Sequence, residues 1–399
     1  MSDIPQEVID EILSRLPVKS LLRFKCVSKS FKSLIDSPKF IQAHLKQQSL
    51  KPNSDGKLLI LNKNQKKLFS LDDFNSSILN TQQQPQELEH PFEQPHDEIQ
   101  VLGSCNGLVF LSNNVCENGI WNLSTKVYVK LDRFCRISLP RVPPKGEGKY
   151  MFFDQICGGF GYDSSHDDYK VVRIVQCVFS YGNLLSETMI YSLKMGVWKD
   201  GEDCPYWLVK EDFGTYAAGA LYWLGFKESH GELILVSLDL GSERFEQVLY
   251  PENLGKPCRL NLAALGDCLC LLAASGHVVT RMDVKNHVDV WVLKAYGVEQ
   301  SWVKLFTVEQ LEGRQHFSYM RSIAYSMTGG EVLLEMDNRK FLWYNHEKKS
   351  LKRAKIGGGL NSFESFVNFG TLVPLYGRGN EKDSKKGAEE GDGSVTDEL

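Results

Sequence analysis

The sequence predicts an α+β multidomain chain: a small all-helical module, then an all-β domain of about six propeller-like blades, then a disordered tail. Three observations predict this. Apolar residues recur at helical spacing over residues 1–48, where glycine is absent. Over residues 57–376 short runs rich in Val, Ile, Leu and aromatics are broken by Gly, Asn and Asp. Within that region one strand-turn-strand element recurs. A chain of 399 residues is long enough for two or three domains, and 42% hydrophobic with 24% charged residues is a globular composition.

In the helical module, Val8, Ile9, Ile12, Leu13 and Leu16 follow the i, i+3, i+4, i+7 pattern. Asp3 and Pro5 supply a start signal and Pro17 a stop. A second helix carries Leu21, Leu22 and Phe24, and a third carries Val27, Phe31, Leu34 and Ile35. The Ser37-Pro38 pair opens a fourth with Phe40, Ile41 and Leu45. A unit this small, without disulfide or metal, is marginal alone. Its apolar content exceeds its needs, and each large side chain left in water forgoes roughly 1.5–3 kcal/mol. Such a surplus either marks a binding surface or packs on the following domain, and patterning leaves both open.

Residues 49–56 read as a linker. In the β region the recurring element is carried by Leu68-Phe69-Ser70-Leu71, Ile120-Trp121-Asn122-Leu123, Ile190-Tyr191-Ser192-Leu193, Val236-Ser237-Leu238-Asp239-Leu240, Val290-Trp291-Val292-Leu293 and Phe341-Leu342-Trp343-Tyr344. Copies lie roughly 45 to 55 residues apart, the period of a propeller blade, except for one gap of about 70 holding an inserted loop at residues 133–149. Further strands precede several copies, at Gly107-Leu108-Val109-Phe110, Gly219-Ala220-Leu221-Tyr222-Trp223-Leu224 and Gly330-Glu331-Val332-Leu333-Leu334. A last strand within residues 365–375 is expected to pair with residues 57–61 and close the ring, because open terminal blades expose unpaired edges. A pair of β-sandwiches shares this strand pattern, since periodicity establishes repeats and not a ring. Residues 377–399 hold almost no apolar side chains and are expected to be disordered.

The run Ile4-Pro5-Gln6-Glu7-Val8-Ile9-Asp10-Glu11-Ile12-Leu13-Ser14-Arg15-Leu16-Pro17-Val18-Lys19-Ser20-Leu21-Leu22-Arg23-Phe24-Lys25-Cys26-Val27-Ser28-Lys29-Ser30-Phe31-Lys32-Ser33-Leu34-Ile35 resembles an F-box over its whole length. That resemblance implies docking on the Skp-family adaptor of cullin–RING ubiquitin ligases, and through it on cullin and RING subunits. Carried over by position, Pro5, Val8, Ile9, Ile12, Leu13, Leu16, Pro17, Leu21, Leu22, Cys26, Val27 and Phe31 form the adaptor interface or its supporting core. Ile4 stands where the family usually has Leu, and Phe31 where it usually has Trp. Both keep an apolar side chain. Ser104-Cys105-Asn106-Gly107-Leu108-Val109, Trp121-Asn122-Leu123-Ser124-Thr125, Gly159-Phe160-Gly161-Tyr162-Asp163 and Gly219-Ala220-Leu221-Tyr222-Trp223-Leu224 are similar to the plant F-box-associated domain, a kelch-like family. The resemblance implies a non-catalytic subunit whose β domain binds a target protein for ubiquitination. Its rivals are a scaffold that binds the adaptor without directing degradation, and a propeller hydrolase or sugar-binding module.

Other chemistry finds little support. The sequence carries no Gly-x-Ser-x-Gly elbow, zinc helix or Walker-type loop. Gly158-Gly159-Phe160-Gly161 lacks the third glycine of a dinucleotide fingerprint and reads as strand-to-turn glycine. Asp163, His166, Asp167 and Asp168 fit neither an EF-hand nor a zinc site and read as a hairpin turn. The basic run of Lys348, Lys349, Lys352, Arg353 and Lys355 reads as a nuclear signal or, better, as a charged turn of the last blade. No cofactor, metal or catalytic residue is expected. A net charge of −4 offers no general field for nucleic acid, and no apolar stretch approaches the roughly 20 residues of a membrane helix. Neither nucleic acid nor membrane is therefore an expected partner. Ten dispersed cysteines resemble buried thiols, and the start lacks the pattern of a secretory signal, so cytoplasm or nucleus is the expected compartment. Residues 133–149 and 229–232 are the expected target-contacting loops.

Overall fold

The computed structural model describes residues 5–50, 56–72, 84–92, 99–113, 117–131, 151–179, 184–209, 213–227, 231–275, 287–295, 301–309, 319–326, 329–357 and 361–375. Four helices open the chain: α1 (Gln6–Ser14), α2 (Val18–Phe24), α3 (Lys29–Ile35) and α4 (Pro38–Leu50). Pro5 and Pro17 precede α1 and α2, where a missing N–H costs nothing. Ser28 caps α3 by accepting the Phe31 N–H at 3.0 Å, and Ser37 accepts the Phe40 N–H at 3.3 Å at the start of α4.

Blade two comprises Gln100–Cys105, Leu108–Ser112, Asn118–Asn122 and Val127–Lys130, in sequential antiparallel order. Blade three (Met151–Asp163 to Val197–Asp200), blade four (Phe213–Ala217 to Phe245–Val248), blade five (Arg259–Leu265 to Trp302–Glu309) and blade six (Met320–Tyr325 to Ser350–Arg353) repeat the plan. Blade one is split. Gly56–Asn62, Lys67–Asp72 and Gln86–Glu87 receive their innermost strand from the far end of the chain, as Phe363–Phe369 pairs antiparallel with Gly56–Asn62.

The ring is closed. The innermost strands Gln100–Cys105, Met151–Asp163, Phe213–Ala217, Arg259–Leu265, Met320–Tyr325 and Phe363–Phe369 each touch the next, and the last touches the first. Each gap between neighbouring blades holds its own apolar cluster, as between sheets of a sandwich. The propeller reading stands and the paired-sandwich alternative falls. Each recurring sequence element lies in the third strand of a blade, largely buried and therefore mostly apolar.

One reading needs correction. The glycines at 158, 159 and 161 lie within the strand Met151–Asp163, not at a strand-to-turn junction. A Cβ on Gly159 would meet Leu221 at 2.7 Å, and one on Gly161 would meet Tyr216 at 2.3 Å. Bare backbone is needed there because blade four approaches closely, pairing in parallel through Phe213↔Gly158 and Gly214↔Gly159. Asp163 to Asp168 do form a hairpin turn, with Asp167 in the left-handed region. The tail at 377–399 and the loop at 133–149 lie outside the described residues.

Candidate docking surfaces

The helical module joins the apolar cluster between blades two and three. Leu13, Val18, Leu21, Ile35, Phe40 and Ile41 are buried in one cluster with Leu108, Phe160 and Tyr169 and with Leu372, Val373 and Leu375. The segment after the closing strand forms the seat. Asn122 Nδ2 donates to the Val373 carbonyl at 2.8 Å and to the Thr371 carbonyl at 3.3 Å, while Ser124 Oγ accepts the Thr371 N–H at 3.0 Å. Val18 lies so close that a Cβ on Gly370 would come within 3.2 Å of it. At the edge, Gln42 Nε2 donates to Asp167 Oδ2 at 3.3 Å. Within the module, His44 Nε2 lies 2.9 Å from the Leu16 carbonyl and Lys25 pairs with Asp36 at 2.5 Å.

This seating divides the twelve residues carried over from the F-box resemblance. Leu13 and Leu21 are buried, and Ile9, Leu16, Leu22 and Phe31 are half-buried. Pro5, Val8, Ile12, Pro17, Cys26 and Val27 are exposed. Val8 and Ile12 lie one turn apart on α1, so their side chains share a face. Ile12 keeps 53% of its surface and Val27 66%, far more than large apolar side chains normally leave in water. Sequence reasoning missed the seat itself, Val18 with residues 370–375, because an apolar helical residue carries no label naming what covers it.

The propeller's two ends differ. The helical module sits at the end that bears the 106–107 turn and the Asp163 to Asp168 turn. The connections that follow Val127–Lys130 in blade two and Ala220–Phe226 in blade four leave from the other end. The two expected target loops, 133–149 and 229–232, are these connections. Of them, residues 231–232 alone are described.

Between blades three and four lies a buried ionic cluster. Lys170 Nζ sits 2.8 Å from Asp163 and 2.7 Å from Glu243, and donates to the Leu240 carbonyl at 2.6 Å. His166 Nδ1 lies 2.7 Å from Asp163, and Lys199 pairs with Glu243 at 2.7 Å. Burial by itself raises both carboxyls. The hydrogen bonds and charge of their lysine and histidine neighbours outweigh it and hold both below their ordinary values. All charges are partnered within the chain, which marks a joint between blades.

Residues 58–371 match the family described as the F-box associated beta propeller domain, and residues 1–42 match the F-box domain. The chain is an F-box protein. Its relatives in Arabidopsis thaliana include F-box protein CPR1, 31% identical over 94% of this chain and 89% of that one. F-box protein At4g22390 is 29% identical over 89% of this chain and 87% of its own, and F-box/kelch-repeat protein At3g23880 is 29% identical over 77% and 80%. In this F-box protein the matched F-box segment therefore spans α1 to α3 and enters α4, and the matched propeller runs from the first strand of blade one through the closing strand.

Proposed function

We propose that this F-box protein is the substrate-recognition subunit of an SCF-type cullin–RING ubiquitin ligase in the cytoplasm or nucleus. Its helices dock on a Skp-family adaptor, and its propeller holds the protein to be ubiquitinated. The observation that carries this reading is the exposed apolar face of α1, Val8 with Ile12, in an F-box whose Leu13, Val18, Leu21 and Ile35 are buried. The chain then acts by proximity: holding target and ligase in one complex raises the effective concentration of target lysines at the activated ubiquitin. It contributes no bond chemistry of its own.

Retention of a purified Skp-family adaptor tests the reading. Wild type is expected to retain it. Val8→Asp with Ile12→Asp is expected to weaken retention by roughly a hundredfold or more, since two buried side chains at about 1.5–3 kcal/mol each are replaced by charge. Unchanged retention in the double variant overturns the reading. Target abundance then separates degradation from scaffolding. Proteins labelled by proximity should accumulate when residues 1–48 are deleted if the complex directs degradation.

A further inference from the structure

At the end of the propeller away from the helices, blades one and six are stitched together. The Lys63 N–H donates to the Ser362 carbonyl at 3.0 Å, and the Phe363 N–H donates to the Asn338 carbonyl at 2.8 Å. Lys63 lies in the turn after Gly56–Asn62, and Asn338 in the turn after Glu331–Met336. The Ala354 N–H donates to the Phe341 carbonyl at 2.9 Å, which brings the end of the outer strand beside the same turn.

This stitching gathers Lys63, Lys66, Arg339, Lys340, Arg353 and Lys355 on one rim from three separate stretches of the chain. Lys63 pairs with Glu364 at 2.5 Å. Arg339, Arg353 and Lys355 are exposed and form no ion pair among the described residues. The basic run seen in the sequence is thereby divided. Lys348 and Lys349 lie in the turn at the helix-side end, while Arg353 and Lys355 lie at this one. At the same end of blade three, across the ring from blade six, the exposed residues described include Asp200, Glu202 and Asp203.

We infer that the rim of blades one and six is a contact surface for an acidic segment of the captured protein. The inference rests on the reading of the propeller as the target-holding domain. Among the described residues, the rim is positive at blades six and one and negative at blade three. A short acidic segment of a protein can lie on the basic arc of blades six and one alone, whereas a nucleic acid strand crossing the ring would meet the carboxylates. The exposed guanidinium groups of Arg339 and Arg353 are suited to bidentate contact with carboxylates.

Fluorescence anisotropy of a labelled decaglutamate peptide with the full-length chain tests the inference, with a decalysine peptide and a single-stranded RNA decamer as controls. Decaglutamate should bind more tightly than either control at about 50 mM salt and weaken on raising salt to about 300 mM. Arg339→Glu with Arg353→Glu and Lys355→Glu should weaken it at least roughly tenfold, and Lys348→Glu with Lys349→Glu should not. Equal loss in the two variants, tighter binding of the RNA, or no preference for decaglutamate overturns it. Retention of the adaptor is measured on the same variants. A wild type that binds decaglutamate and fails to retain the adaptor refutes the ligase reading and leaves the charged surface standing.

Discussion

Lys170 is the residue on which the junction of blades three and four depends electrostatically, because its ammonium is the shared partner of two carboxylates. Removing it leaves the buried Asp163 with only the exposed His166, and Glu243 with only the exposed Lys199, as an ionisable partner. Lys170→Met is expected to cost about 3–5 kcal/mol at neutral pH, read from urea denaturation. The sign of the pH effect follows from the direction of the shifts. Both carboxyls titrate lower in the folded chain than in the unfolded one, so their stabilisation is present above the unfolded values and is lost as the pH falls from those through the lower folded values. Wild-type stability is therefore expected to fall below about pH 4, and the deficit of Lys170→Met to shrink there. Asn122 is a second such residue, since one side chain serves two carbonyls of the seat and two amides of its own turn. Asn122→Ala is expected to cost about 1–3 kcal/mol. Hydrogen exchange at Thr371 and Val373 should rise with it.

Among the elements, α1 presents two faces of opposite consequence. Its outward Val8 and Ile12 are free to change without disturbing the fold, so the double Asp variant should keep the wild-type melting temperature while losing the adaptor. Leu21→Asp on α2 places a charge in the cluster beneath and should unseat the module. Leu13→Asp gives the same outcome, and loss of adaptor binding in it reports misfolding and not contact. In blade three the innermost strand is held to glycine by the neighbouring sheet. Gly161→Val drives its side chain into Tyr216 and should destabilise the propeller by about 1–3 kcal/mol or more, read from thermal melts.

For the whole molecule, closure by the terminal strand couples the two ends of the chain. A chain ending at residue 362 leaves Gly56–Asn62 with an open edge and the seat of the helices absent. It is expected to aggregate on size-exclusion chromatography and to melt without a cooperative transition. A chain ending at residue 375 keeps every described contact and should melt as the full-length chain does. Closure also fixes where function is displayed: the helices close over one end beside blades two and three, and the basic rim lies at the other.

Helices, third strands and the number of repeats are local matters, and the residues announced them. A strand buried on both faces must be apolar along its length, as in Val290-Trp291-Val292-Leu293, and that pattern survives in one dimension. Outer strands such as Val197–Asp200 were illegible because solvent on one side permits almost any residue. The division of the twelve F-box positions into buried and exposed was equally hidden. Leu13 and Ile12 are adjacent apolar residues on one helix, and only the packing of the folded chain buries the first and leaves the second in water. The rim of charge, drawn from residues 63, 339 and 353, exists only once the ring has closed, because no stretch of chain holds those groups together before it does.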